Sequence, residues 1–130
     1  MTTPDTASPS KVLIVDDEPN IVLALEFLLQ REGYCTEKAF NGHQALENAA
    51  NFLPDIVVLD VMMPGMDGFE VASKMRQSPA LNHTKIVFLT AKGTQRDKAA
   101  GYNSGAEYYM VKPFDNDEFV ATLNEIRAYG

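Results

Sequence analysis

Five polar residues come at the ends of four short apolar runs of the sequence, and together they could bind a metal ion. The set is Asp16, Asp17, Asp60, Thr90 and Lys112. Three carboxylates held close together raise one another's pKa unless a cation neutralises them. An all-oxygen ligand set that keeps several waters suits Mg²⁺ better than Ca²⁺, and the sequence contains no EF-hand loop. The pattern therefore predicts a magnesium site, provided that the fold brings these residues together.

The same residues could also carry a phosphoryl group. A lone carboxylate is a poor phosphoryl acceptor, but a divalent ion and a lysine beside it neutralise the charge on the transferring oxygens. Asp60 would then form an aspartyl phosphate, and the Thr90 hydroxyl would donate a hydrogen bond to a phosphoryl oxygen. The small side chain of Ala91, next in sequence, leaves room for that group.

Alternating strands and helices are needed to bring these residues to one place. Short apolar segments predict five strands, at 11–15, 34–39, 55–59, 85–89 and 107–111. Helical segments follow each strand, from Asp17, from about Gly42 to Asn51, from near Gly68, between Gly93 and Ser104, and over the final segment. This alternation predicts a flavodoxin-like α/β sandwich, with a parallel sheet of order 2-1-3-4-5 and helices on both faces. Ligands of such sheets bind beyond the carboxyl ends of the strands, where the polar residues lie.

The helices differ in how clearly the sequence specifies them. The first should bury Ile21, Leu25, Leu28 and Leu29. The fourth contains Gly101, which costs about 1 kcal/mol relative to alanine in a helix interior, and it shows little apolar periodicity. In the last helix, Asp115 and Glu118 have capping-box spacing. Its apolar face is Phe119, Leu123 and Ile126.

Length and composition limit the classes of protein. The 130 residues fit one domain, and a net charge of -7 argues against direct binding of DNA or RNA. The single cysteine, Cys35, allows no internal disulfide and favours a reducing, cytoplasmic setting. No apolar run approaches the ~20 residues that cross a bilayer, and residues 1–10 are expected to be a flexible tail. Only 17 of the 130 residues follow Pro113, which we expect to be too few for an output domain.

Four motifs resemble those of the receiver domains of two-component signalling. They are VDDE at 15–18, DVMMPGMDG at 60–68, TA at 90–91 and VKPF at 111–114. Each is modest alone, but the four occur in order, each at a predicted strand end, and the resemblance covers about residues 11–129. It implies a receiver domain with Asp60 as the phosphoacceptor. The phosphoryl donor would be a phosphohistidine on a histidine kinase or phosphotransfer protein.

The resemblance also implies a set of ligands and a chemistry. Asp17 and Asp60 would bind Mg²⁺ directly, Asp16 would assist through water, and Met62 would contribute its backbone carbonyl. Mn²⁺ is the expected substitute. Lys112 would pair with the phosphoryl group. Such a domain is not a conventional enzyme, but it catalyses its own phosphorylation and slowly loses the phosphate.

A conformational switch is the last implication of the resemblance. Thr90 would move toward the phosphoryl group and Tyr109 would turn inward behind it, with neighbouring Tyr108 as the competing candidate. The Lys112–Pro113 bond would be cis. The output face would combine the fourth helix, the fifth strand and the last helix. Its implied partners are an unidentified downstream protein and a second copy of the chain in a phosphorylation-dependent homodimer.

The resemblance also implies that two residues tune the lifetime of the phosphoryl group. They are Met62 and Lys92, which lie two positions beyond the acceptor and two beyond the threonine. We predict that Lys92 reaches a partner or a phosphoryl oxygen.

Alternative interpretations of these residues and of the chain fit the sequence less well. Asp16 and Asp17 could simply cap a helix, and Asp60 could be a turn residue, but four compatible strand ends make such a coincidence improbable. A phosphohydrolase of the haloacid-dehalogenase type needs an aspartate two residues after its nucleophile, where this chain has Met62. A flavin carrier needs a phosphate cradle in place of the acidic loop DDEPN. A degenerate receiver that binds partners without phosphorylation is disfavoured because all five site residues are retained.

Overall fold

The computed structural model describes residues 10–129, so positions 1–9 of the predicted tail lie outside the described residues. The strands are β1 (Lys11–Val15), β2 (Cys35–Ala39), β3 (Ile56–Leu59), β4 (Lys85–Thr90) and β5 (Tyr108–Val111). The helices are α1 (Pro19–Arg31), α2 (Gly42–Phe52), α3 (Gly68–Arg76), α4 (Gln95–Asn103) and α5 (Asn116–Tyr129), with a 3₁₀ turn at Pro79–Leu81. No helix in this part of the chain is long and apolar enough to cross a membrane.

All strand pairs are parallel, and the sheet order is β2-β1-β3-β4-β5, which confirms the predicted topology. β2, β3 and β5 begin one residue later than predicted, and β4 extends one residue further, through Thr90. Alternate residues of the buried strands face opposite layers, as expected for a sheet covered on both sides. Leu13 and Leu59 pack toward one layer with Phe88, whereas Ile14 and Val58 pack toward the other.

Helix α1 differs from its prediction in where it begins and in what it buries. Glu18 is the extended N-cap and Pro19 begins the helix, two residues later than predicted. A residue that precedes proline disfavours helical backbone angles, so the first turn cannot include Asp17. The residues buried by α1 are Val22, Leu25 and Leu29, whereas Ile21 and Leu28 are only partly buried. Because α1 begins later, Asp17 lies outside the helix, two residues after the end of β1.

The capping box lies on a different helix from the one predicted. The Asp115 carboxylate accepts a hydrogen bond from the Asp117 amide at 3.4 Å, so α5 is capped through its second residue and not through Glu118. A complete box forms instead at α4, where the Thr94 hydroxyl accepts from the Asp97 amide and the Asp97 carboxylate accepts from the Thr94 amide. The helix with the weakest apolar pattern therefore has a well-defined beginning.

Candidate functional site

Strand register gathers the predicted residues at the carboxyl edge of the sheet. Val15 pairs with Leu59, so the residues that follow them, Asp16 and Asp60, are neighbours. The Asp60 amide donates to the Val15 carbonyl at 3.0 Å, which continues the ladder to the end of the strand. Because Thr90 pairs with Val111, Lys112 lies just beyond Thr90 at the same edge.

Three carboxylates meet at this edge. Asp16, Asp17 and Asp60 each present an oxygen within 4.8 Å of the others. Asp16 and Asp60 are only 3% and 5% exposed, whereas Asp17 is open to solvent. Local amides fix the two buried groups, since Asp16 accepts from the Glu18 amide at 2.9 Å and Asp60 from the Met62 amide at 3.2 Å. The buried carboxylates are thus held in place before any ligand arrives.

One ammonium group partly neutralises this cluster. Lys112 Nζ lies 3.0 Å from an Asp16 oxygen and 3.8 Å from an Asp60 oxygen. Burial, followed by the Asp16 charge, raises the pKa of Asp60, while Lys112, the Met62 amide and the Thr90 hydroxyl act in the opposite direction. A further cation would relieve this excess of negative charge, and an all-oxygen donor set suits a hard divalent ion. The residues present therefore fit Mg²⁺.

Solvent reaches the site through an open pocket. Its lining is Asp17, Glu18, Asp60, Met62, Ala91 and Lys112. Met62 is 56% exposed and Ala91 is also exposed, so two short or mobile side chains border the opening. Thr90 is fully buried, and its hydroxyl accepts from the Lys92 amide at 3.3 Å. The pocket gives a reactant access to Asp60 from outside.

Tyr109, and not Tyr108, lies behind the Thr90 loop. The Tyr109 hydroxyl donates to the Lys92 carbonyl at 2.6 Å, while Tyr108 donates to Glu125 of α5 at 3.1 Å. Burial raises the pKa of Tyr109 to about 12, with contributions from nearby acidic groups. The backbone of Lys92 is therefore hydrogen-bonded to both side chains. Its amide donates to the Thr90 hydroxyl, and its carbonyl accepts from the Tyr109 hydroxyl.

The side chain of Lys92 lies beside a carboxylate of the neighbouring helix. Its ammonium lies 3.8 Å from a carboxylate oxygen of Asp97 at the beginning of α4. The predicted contact of Lys92 with a partner or a phosphoryl oxygen stays a prediction.

Gly68 has a role at the site that the sequence reading missed. A Cβ at this position would overlap the backbone carbonyl oxygen of Asp60 and approach the Val61 Cα to 2.8 Å. The Gly68 amide donates to the Val61 carbonyl at 2.9 Å, which draws the start of α3 against the end of β3. The sequence reading treated Gly68 only as a helix start, because the close approach depends on where β3 ends in space and the residues around Gly68 do not indicate it.

Comparisons with known proteins find related sequences and related folds. Residues 12–124 match the family model of the response regulator receiver domain. The alkaline phosphatase synthesis transcriptional regulatory protein PhoP of Bacillus subtilis is 43% identical over 116 residues, which are 89% of this chain and 48% of that protein. The transcriptional regulatory protein TrcR of Mycobacterium tuberculosis is 40% identical over 116 residues, 89% of this chain and 44% of that protein. The chain thus spans about half the length of these curated relatives, or less.

Solved structures show the same fold. The chemotaxis protein CheY4 of Vibrio cholerae has a TM-score of 0.87 and 34% identity, with 92% of this chain and 99% of that chain covered. The receiver domain of the Francisella response regulator 1452 has a TM-score of 0.83 and 32% identity, with 90% and 95% covered.

Proposed function

The chain belongs to the response regulator receiver domain family of two-component systems, and we propose that it accepts a phosphoryl group on Asp60 with the help of Mg²⁺. The observation that carries this proposal is the pair of buried carboxylates, Asp16 and Asp60, that share Lys112 and lie within reach of Asp17. Such an arrangement destabilises the empty site and favours a ligand that brings positive charge.

Asp60 is a better acceptor than its neighbours. Both oxygens of Asp16 already accept a hydrogen bond, one from the Lys112 ammonium at 3.0 Å and one from the Glu18 amide. Asp17 is exposed, so water competes with a transferring group for contact with it. Asp60 lines the open pocket and lies 3.8 Å from the lysine, at a distance that leaves space for incoming oxygens.

The proposed metal ligands are Asp17, Asp60 and the backbone carbonyl of Met62, with Asp16 assisting through water. Bound Mg²⁺ would neutralise charge on the carboxylates and on the phosphoryl oxygens, and Mn²⁺ would substitute for it. The transfer is a displacement at phosphorus. An oxygen of Asp60 forms the new bond to phosphorus while the nitrogen–phosphorus bond of a phosphohistidine breaks, and the imidazole leaves with the electron pair. Lys112 pairs with the phosphoryl oxygens, and hydrolysis of the aspartyl phosphate later restores the carboxylate.

Signal output would follow from Thr90 and Tyr109. Turning the Thr90 hydroxyl toward a phosphoryl oxygen would give up its hydrogen bond with the Lys92 amide, which belongs to the residue that also holds Tyr109. The phosphoryl group shifts this equilibrium only as far as it binds one conformation better than the other. The proposed output face consists of α4, β5 and α5. Its partners would be a histidine kinase or phosphotransfer protein as donor, and a downstream protein or a second copy as target.

The test is phosphorylation of the purified chain by acetyl phosphate with Mg²⁺, followed by intact mass. We expect one phosphoryl mass gain that is lost in Asp60→Asn or when the metal is chelated. Asp55→Asn is the matched control, because Asp55 lies exposed at the opposite end of β3. The control variant should gain the same mass as the wild-type chain.

Two results would contradict the proposal in different ways. A chain that binds Mg²⁺ but gains no mass from acetyl phosphate or from a phosphohistidine donor is a receiver that binds partners without phosphorylation. A chain that gains mass equally in Asp60→Asn is modified elsewhere, and Asp60 is then not the acceptor.

A further inference from the structure

Helix α4 packs against the rest of the protein at a glycine. Among the residues that the structure describes, Gly101 is the only one that α4 buries. A Cβ added to Gly101 would lie 2.5 Å from Cδ2 and 2.7 Å from Cε2 of Tyr109, and 3.3 Å from Cδ2 of Phe88. The first two distances are far shorter than a carbon–carbon contact of about 3.5–4.0 Å. The backbone of α4 therefore lies directly against the edge of the Tyr109 ring.

The Tyr109 ring is held from several sides in this position. Its hydroxyl donates to the Lys92 carbonyl at 2.6 Å. Its ring centroid lies 5.7 Å from that of Phe88 on β4 and 6.5 Å from that of Tyr102 on α4. The contact with Gly101 is made by the side of the ring, so a small rotation of the hydroxyl end would not relieve an overlap there.

We propose that Gly101 is the positioning residue that lets Tyr109 lie inward beneath α4, and that it thereby sets the equilibrium of the proposed switch. A side chain at position 101 would displace the ring from the Lys92 carbonyl toward solvent. The inference rests on the proposed function only for its consequence, which is that the inward ring accompanies the phosphorylated conformation. The inward position itself depends on contacts that exist without phosphate.

The consequence for binding follows from linkage. If a phosphate mimic binds the inward conformation better, a substitution that disfavours this conformation weakens binding of the mimic, by at most the free energy with which it disfavours the inward ring. Alanine is also a better helix former than glycine, so the substitution strengthens α4 while it displaces the ring. The two effects therefore change different measurements: the gain in helix propensity raises the unfolding temperature, and displacement of the ring weakens binding of the mimic.

The experiment uses chains labelled with 3-fluorotyrosine, in which the ¹⁹F signal of residue 109 is assigned by comparison with Tyr109→Phe. We compare the wild type with Gly101→Ala, and with Ala99→Ser as the control on the exposed side of α4. We expect the residue 109 signal to move toward that of a solvent-exposed tyrosine in Gly101→Ala and to stay unchanged in Ala99→Ser. Affinity for beryllofluoride with Mg²⁺ should fall about tenfold in Gly101→Ala alone, within the usual range of such couplings.

A second pair of variants separates the ring from the fold. In a Tyr109→Ala background, Gly101→Ala should raise the unfolding temperature, because the overlap is gone and the gain in helix propensity remains. If Gly101→Ala does not fold by itself, recovery of folding in this background supports the inference, and failure there overturns it.

The two proposals can fail separately. An unchanged residue 109 signal in folded Gly101→Ala overturns the role of Gly101, whatever beryllofluoride does. If the signal moves but Gly101→Ala binds beryllofluoride as tightly as the wild type, the inference fails at its link to the switch. Absence of beryllofluoride binding in the wild type would contradict the proposed function, while the ¹⁹F signals would still decide whether Gly101 positions the ring.

Discussion

The two ends of the parallel sheet differ in whether their charged groups are compensated. At the amino end, the Arg76 guanidinium of α3 donates to the Thr84 carbonyl at 2.6 Å and to the Gly105 carbonyl at 2.7 Å, and it pairs with Glu107 at 2.9 Å. The Glu107 carboxylate also accepts from the Ile86 amide at 2.7 Å. At the carboxyl end, three carboxylates lie together, and Lys112 pairs with two of them, Asp16 and Asp60.

The difference indicates which end serves stability and which could hold a cation. The guanidinium at the amino end ties α3, β4 and the loop before β5 together, and its charge is compensated within the fold. At the carboxyl end, burial of Asp60 and then the Asp16 charge beside it raise the pKa of Asp60, and an excess of negative charge remains. Local conflicts of this kind are expected at functional sites, where the surrounding structure bears their cost.

Removal of the amino-end contacts should have the largest effect on stability. We expect Arg76→Ala to lower the free energy of unfolding by about 3 kcal/mol, because it leaves two backbone carbonyls without the guanidinium that donates to them and removes the ion pair with Glu107. The measurement is urea denaturation at neutral pH. Lys74→Ala is the matched control, because Lys74 is an exposed cation in the same helix.

The same variant tests whether the two ends are independent. Folded Arg76→Ala should bind Mg²⁺ with wild-type affinity, since the contacts it removes lie at the other end of the strands. A loss of Mg²⁺ binding under conditions where the variant is fully folded would show that the amino end also shapes the site.

A substitution at Gly68 should damage the carboxyl end and leave the amino end intact. We expect Gly68→Ala to lower the free energy of unfolding by about 2 kcal/mol, because its Cβ overlaps the Asp60 backbone and the chain must shift. Affinity for Mg²⁺ should fall as well, since the Asp60 carboxylate moves with its backbone. Calorimetric titration measures the affinity, with Glu70→Ala as an exposed control in the same turn. Wild-type affinity in Gly68→Ala would show that the loop absorbs the overlap without moving Asp60.

The sequence predicts the carboxyl end far better than the amino end. Asp16, Asp60 and Lys112 are recognisable because each follows an apolar run, and strand ends of a parallel sheet meet at one edge. Arg76 gives no such signal. It is a basic residue in the last turn of a helix, where most lysines and arginines are solvated, and its partner Gly105 lies 29 positions away.

Glycines that make close contacts are equally hard to recognise. The sequence indicates only that Gly101 weakens α4. Helix propensity takes account of the missing side chain but not of the Tyr109 ring that occupies its place. The start of α1 was misplaced for a local reason that the sequence did contain, since Pro19 restricts Glu18. Contacts between distant elements are therefore what the sequence reading missed most often.

The smallest effect concerns the charge conflict itself and has a defined pH dependence. The raised pKa of Asp60 means that the folded chain binds a proton at this group more readily than the unfolded chain does. Stability from this group is therefore present at low pH and is lost as pH rises above the ordinary aspartate value of 3.8. Asp60→Asn carries no such charge. With the metal chelated, we expect the variant to exceed the wild type by about 1 kcal/mol at neutral pH and to match it near pH 4.

Mg²⁺ should reverse this order, because it stabilises only a chain whose site binds it. Thermal unfolding across pH, with chelator and with Mg²⁺, measures both effects, and Asp55→Asn should follow the wild type throughout. If chelated Asp60→Asn is less stable than the wild type at neutral pH, the Lys112 charge and the hydrogen bond from the Met62 amide outweigh the burial of the Asp60 carboxylate and the repulsion from Asp16. The carboxyl end would then be as well compensated as the amino end, and the contrast between the two ends would lie in access to solvent alone.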